Sequence, residues 1–271
     1  MEISNQSKKY SRAISSFYRF IYRLSPSFKS YEKLILLGHV YRPHYAYALF
    51  ETAKLAHVLG YKSISVLEFG CAGGAGLLDI EYHINELKRY FDIDFQVYGF
   101  DSGEGLPPSN DVRDALYLWQ PGDYKMDYNK LINKLGSTKV VIGPVSDTIN
   151  DFIEKYNPAP IGCVFNDFDY YTSTRDSFKL YKNNIKHFFP RVFMYFDDTL
   201  GTSNFNGELL AINEFNSNNE SQKIDSIQLK AEQLSLSWNN WIYLAKKFFY
   251  LHNFDHPEYS KPINRRHELP I

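Results

Sequence analysis

Residues 63–76 read SISVLEFGCAGGAG: an apolar run ending in Glu68 and Phe69, then Gly70, Gly73, Gly74 and Gly76, then a helical pattern. A buried strand, a tight turn and a helix N-terminus account for all of it. Glycines let the backbone bend sharply and approach a ligand, and the first helical turn leaves N–H groups unpaired. In open α/β sheets such a turn lies at the carboxyl end of a strand, where ligands bind. This segment constrains the fold class more than any other.

The flanking sequence agrees with it. Strands are predicted over 63–69, 95–101, 139–143, 161–167 and 191–197. They alternate with helices over 45–59, from the glycine turn to about Tyr90, and over 128–135, 146–155 and 173–187. Continuous apolar strands separated by helices require a parallel sheet covered on both faces. After a helix over 207–216, strands over 223–229 and 241–251 follow with no helix between them, which predicts a closing hairpin. The expected fold is α/β: a Rossmann-like, seven-stranded, mostly parallel sheet with helices on both faces.

Ahead of it, residues 8–24 carry Tyr10, Ala13, Ile14, Phe17, Ile21 and Leu24 at helical spacing, with Arg12, Arg19 and Arg23 mostly off that face. This predicts a helical N-terminal extension over 1–44 and a main domain over 45–271. The apolar stripe needs a protein partner, at the mouth of the site or across a homodimer interface. A membrane surface is the lesser alternative for one short basic helix.

Composition removes several function classes. With 30 Lys and Arg against 31 Asp and Glu, net charge is −1, so no global field favours nucleic acid or an anionic membrane. The two cysteines, Cys71 and Cys163, fall in or just after core strands and indicate no disulfide framework. No secretory leader pattern and no apolar run of about 18 residues occurs, which predicts a soluble cytoplasmic protein.

Charge at the turn selects the ligand. Glu68 would repel the diphosphate of a dinucleotide but suits an ammonium group. S-adenosylmethionine carries an ammonium and a sulfonium, which favours it over a nicotinamide cofactor. Asp101 ends the second strand, 33 residues on (101 − 68), where an acid can chelate ribose hydroxyls. The predicted cofactor contacts are Glu68, Gly70, Cys71, Ala72, Gly73, Asp101, Ser102 and Asp167.

Two further strands end in acids, one at Asp167 with Asp169 close behind, the other at Asp197 and Asp198. On neighbouring strands these four carboxylates would converge, and they could not all stay ionised without a cation. An all-oxygen donor set suits Mg²⁺ or Mn²⁺. Asp167, Asp197 and Asp198 are the candidate metal ligands, and Asp169 is the candidate base toward an acceptor hydroxyl. As helix caps the same acids would need no ligand, and Asp169 lies close enough to the helix over 173–187 for that. His39, His44, His252 and His256 are the alternative bases or substrate contacts.

The stretches VLEFGCAGGAG, YGFDSGEGLP, NDFDYYTSTRDS, YFDDT and GELLAINEF run in this order over roughly residues 60–216. Together they resemble the macrocin O-methyltransferase-like branch of class I S-adenosylmethionine-dependent methyltransferases. The resemblance implies Mg²⁺ held by Asp167, Asp197 and Asp198, Asp169 as base, and an acceptor hydroxyl on a sugar or antibiotic-type metabolite. The chain departs from the family pattern at Gly103, where an aromatic is usual, at Thr172, where an acid is usual, and at Phe189-Pro190, where two glycines are usual. The first 60 residues and the FDHPEY tail match nothing in it. The expected function is metal-assisted O-methylation of a small hydroxylated metabolite. Metal-independent N-methylation and a non-catalytic binding protein on the same scaffold are the alternatives.

Overall fold

The computed structural model describes residues 16–18, 20, 21, 24, 28–182, 185–229 and 241–262. Seven strands form one sheet: β1 Ser63–Phe69, β2 Asp94–Asp101, β3 Lys139–Ile142, β4 Ile161–Asn166, β5 Phe188–Phe196, β6 Gln222–Ser226 and β7 Phe248–Asn253. Their order is β3-β2-β1-β4-β5-β7-β6. The first five are parallel, and β7 lies antiparallel to both β5 and β6. The seven-stranded α/β expectation is met, with the late strand inserted inside the edge.

Register explains why the strand ends gather. Phe69 pairs with Phe100 and Asn166, Asn166 with Phe196, and Asp101 with Ile142. The carboxyl ends of β1 to β5 are therefore level, and the residues that follow them share one edge. The strands reading SISVLEF and IGCVFN are buried almost throughout, as a sheet covered on both faces requires.

Two helices at the N-terminal side belong to the same core. Helix Phe28–Leu36 contributes Tyr31, Leu34, Ile35 and Leu36, and helix Pro43–Leu59 buries ten residues from Tyr45 to Leu59. The second starts at Pro43, where a missing N–H goes unnoticed, and stops at Gly60 in the left-handed conformation with φ 86°. The predicted helix over 8–24 lies mostly outside the described residues. Of its described side chains, Phe17, Phe20, Ile21 and Leu24 are exposed.

Three elements differ from expectation. The strand predicted over 241–251 is β7 only from Phe248, and residues 241–247 form a 3₁₀ turn. A short apolar run has no period that separates the two states. The helix predicted over 173–187 is Tyr171–Ser177, followed by 3₁₀ turns at Phe178–Tyr181 and Ile185–His187. The helix predicted over 146–155 is two short ones, Val145–Thr148 and Phe152–Tyr156.

Pro190 sits inside β5, where the pairing with β4 slips: Ile161 opposes Phe188, yet Cys163 opposes Phe193. That bulge accommodates the missing donor. Phe189 fills the space over Gly162, where a Cβ would lie 2.9 Å from its ring. The FDHPEY tail is structural. It fastens the sheet end away from the glycine turn through Tyr61 to Glu258 (2.7 Å), Arg191 to the Tyr259 carbonyl (2.8 Å) and His252 to the Tyr259 hydroxyl (2.9 Å).

Candidate active site

A cavity of about 510 Å³ opens at the carboxyl edge of the sheet, within the usual range for a small-molecule site. One wall is the glycine turn. Gly70 has φ 80°, and a Cβ there would lie 1.9 Å from the backbone oxygen of Asp167, so the turn packs directly on the end of β4. Ala72 also adopts a positive φ, 43°. Asp101 organises this wall: its Oδ2 accepts from the N–H groups of Cys71 (2.9 Å) and Ala72 (2.8 Å), and its Oδ1 from that of Gly103 (2.7 Å). Ser102 is fixed by a bond to the Gly105 carbonyl (2.8 Å).

Of the predicted cofactor residues, Gly70, Ala72, Asp101, Ser102 and Asp167 line the cavity, whereas Glu68, Cys71 and Gly73 do not. Cys71 turns its thiol inward, toward the carbonyls of Glu68 and Phe100. Glu68 lies behind the turn, 2% exposed, and accepts the Tyr45 hydroxyl at 2.9 Å. Its carboxyl occupies the space where Gly76 lacks a Cβ, 1.8 Å from where that atom would be. Burial pushes the Glu68 carboxyl up to about 8, with Asp167 adding repulsion, while Tyr45 and Arg42 oppose the rise.

A second part of the lining is acidic. Asp167, Asp169, Asp197 and Asp198 all line the cavity, because β4 and β5 are neighbours, as the sequence predicted. Oxygens of Asp167, Asp169 and Asp198 lie within 4.8 Å of one another. Burial, reinforced by Asp197 and Asp198, pushes Asp167 up to about 8. Burial and repulsion from the neighbouring acids also raise the pKa values of Asp169 and Asp198. Asp198 Oδ2 is buried without a hydrogen-bond partner.

Asp197 stands apart. Its Oδ1 accepts from the Tyr195 hydroxyl (2.5 Å) and from Lys247 (3.1 Å). Burial would raise its pKa, but these two partners outweigh it and hold Asp197 below the usual carboxylate value. The converging trio thus contains Asp169, the candidate base, and leaves out Asp197, a candidate ligand. Asp169 caps no helix: Tyr171–Ser177 has no side-chain cap, and Asp169 itself has φ 61°. The backbone N–H of Thr172 goes to Asp114 instead (2.8 Å), a fully buried acid that also takes the Thr172 and Ser109 hydroxyls.

Several participants were not among the predicted site residues, although Glu208, Leu106 and Pro107 lie in stretches that carry the resemblance. Glu208, fully buried on helix Gly207–Asn218, accepts the Asp198 N–H at 2.8 Å and leaves Oε1 unpartnered. Trp119 and Tyr124, from the 102–125 loop, line the cavity with Leu106 and Pro107, and the indole N–H of Trp119 has no partner among the described residues. The candidate histidines His39, His44, His252 and His256 do not line the cavity. His44 is wedged between Tyr45 and Tyr195 with ring centroids 5.1 Å away in each case, and burial pushes its pKa down to about 3.

No family model and no curated protein sequence matches this chain. Solved structures do. Its fold is similar to that of the calicheamicin methyltransferase CalS11, with a TM-score of 0.52 and 16% identity over 88% of this chain and 90% of that one. It is likewise similar to the O-methyltransferase NovP, with a TM-score of 0.50 and 15% identity over 75% and 78% of the two chains. The architecture is that of a class I methyltransferase. Among the described residues, no helix is long and apolar enough to cross a membrane.

Proposed function

We propose that this protein is an S-adenosylmethionine-dependent methyltransferase that methylates a hydroxyl of a small metabolite, such as a sugar or secondary metabolite, with help from a divalent cation. The observation that carries this reading is one cavity with two unlike parts to its lining: a glycine turn organised by Asp101, and three converging carboxylates. Two structures of the same fold belong to proteins named as methyltransferases, which supports the reaction class.

The turn fits the cofactor. Backbone at Gly70 and Ala72 borders the cavity directly, and Asp101 Oδ1, which accepts only the Gly103 N–H, keeps lone-pair capacity for a ribose hydroxyl. The trio Asp167, Asp169 and Asp198 fits Mg²⁺ or Mn²⁺: all donors are oxygens, and one is buried without a partner. A divalent cation there would lower the pKa of an acceptor hydroxyl. Asp169, at that site, would accept the hydroxyl's proton. Tyr195 and Lys247 keep Asp197 ionised, so this wall stays negative even when Asp169 and Asp198 hold a proton.

Calorimetry with S-adenosylmethionine and with its demethylated product tests the cofactor half, and micromolar binding is expected. Methyl transfer to a panel of hydroxylated acceptors should stop in EDTA and return with Mg²⁺ or Mn²⁺. Asp198→Asn should abolish Mn²⁺ binding measured without acceptor, while Asp197→Asn should weaken it less. Full turnover in EDTA would defeat the metal assignment, and transfer to amine acceptors alone would shift the reading to metal-independent N-methylation.

A further inference from the structure

Six carboxylates line the cavity: Asp101, Asp167, Asp169, Asp176, Asp197 and Asp198. Against them, among the described residues, stands one cationic side chain of that lining, Arg42. Among the described residues, an anionic ligand group has no other fixed positive charge in the lining to meet.

Arg42 is held for this position. Its backbone is left-handed, φ 34° and ψ 68°, immediately before Pro43. That conformation is disfavoured for a residue with a Cβ, and more so ahead of proline. Strain of this kind persists where the surroundings must aim a side chain. Two contacts then fix the guanidinium, and a third holds one of its partners. Asp79, on the helix that follows the glycine turn, pairs with Nε at 2.9 Å. The Tyr45 ring lies beneath it, 5.3 Å from its centroid. Tyr45 in turn bonds Glu68 at 2.9 Å. The pairing engages one edge, and a guanidinium carries four more N–H donors in a planar fork that matches a carboxylate.

We propose that Arg42 binds the α-carboxylate of the amino-acid end of the cofactor. This rests on the cofactor reading above. The acid-lined cavity suits the ammonium and sulfonium of S-adenosylmethionine but repels its carboxylate, and Arg42 is placed to offset that repulsion. Asp79 acts as a positioning residue by holding the fork in place.

The test compares S-adenosylmethionine with decarboxylated S-adenosylmethionine, which keeps the ammonium and sulfonium and lacks only the carboxylate. Calorimetry on the full chain should show the intact cofactor bound about 10- to 100-fold more tightly, the range for a charge-assisted hydrogen bond. Arg42→Gln should erase the preference by weakening the intact cofactor alone, Arg42→Lys should keep part of it, and Asp79→Asn should narrow it. The proposal is overturned if Arg42→Gln weakens both ligands equally or neither, or if the unmodified chain does not distinguish them. Should Arg42→Gln fail to fold, Arg42→Lys with an undiminished preference overturns it as well. Failure of the unmodified chain to bind either ligand defeats the cofactor reading itself, a result separable from the others.

Discussion

Nζ of Lys247 lies 3.1 Å from Oδ1 of Asp197 and also donates to the Asp197 backbone carbonyl. Lys247, just before β7, thus holds the acid that follows β5 away from the carboxylate trio. Lys247 is 9% exposed, whereas the Asp197 side chain is 40% exposed and partly screened. Lys247→Met should therefore destabilise the fold by about 1–3 kcal/mol, between surface and buried pairs. In urea unfolding, adding Asp197→Asn to Lys247→Met should recover part of that loss. Strict additivity of the two changes would show that the pair is not coupled.

A second prediction concerns acid. His83 is fully buried between the Tyr31 hydroxyl (2.9 Å) and the Tyr41 carbonyl (2.7 Å), which joins helix Phe28–Leu36 to helix Ala75–Leu87. Burial pushes its pKa down to about 4 from 6.5. In that window the unfolded chain binds the extra proton, so His83 favours folding fully above about pH 6.5 and loses that contribution as pH falls to 4. The whole effect is about 3 kcal/mol. Glu68 and Asp167, with raised pKa values, act in the opposite sense. The share of His83 is therefore read as the difference between the unmodified chain and His83→Gln in denaturant titrations at pH 7.5 and 4.5. Parallel pH profiles would rule it out.

The glycine turn offers a matched pair. At Gly70 an added Cβ meets the Asp167 carbonyl in a left-handed backbone, whereas at Gly73 it meets nothing within 4 Å. Gly70→Ala should destabilise by at least about 2 kcal/mol and lower cofactor affinity, while Gly73→Ala should change both by less than about 0.5 kcal/mol. Thermal unfolding and calorimetry decide it. An equal response at the two positions would mean that the close approach to β4 is not what the turn requires.

Much of the carboxyl edge was legible because strand ends announce themselves. β1 was read to the residue, since a buried run closed by glycines has few alternatives, and Asp101, Asp167, Asp197 and Asp198 followed as strand-end acids. Their side-chain directions were not legible. Glu68 occupies a strand-end position too, but it faces helix Ala75–Leu87, because Gly76 leaves room for its carboxyl. Arg42 and Lys247 carry no motif. One precedes Glu68 by 26 residues (68 − 42) and the other follows Asp197 by 50 (247 − 197), so only the folded sheet brings them to the acids. The Phe189-Pro190 departure became intelligible only once the slip between β4 and β5 supplied a place for a residue without an N–H.

The position of β7 bears on how the molecule is assembled. As the last strand of the sheet in chain order, it is seated between β5 and β6 rather than outside them. Until residues 248–253 are in place, β5 and β6 cannot be joined, and each leaves a row of backbone donors and acceptors open. Rows of that kind capture other chains while a protein is being made. Closure of this slot also brings Lys247 to Asp197 and the FDHPEY clasp to Tyr61 and Arg191. One late event thus seals the vulnerable edges and completes the acidic wall, so a nascent chain gains its chemistry only when it has stopped being a hazard to its neighbours.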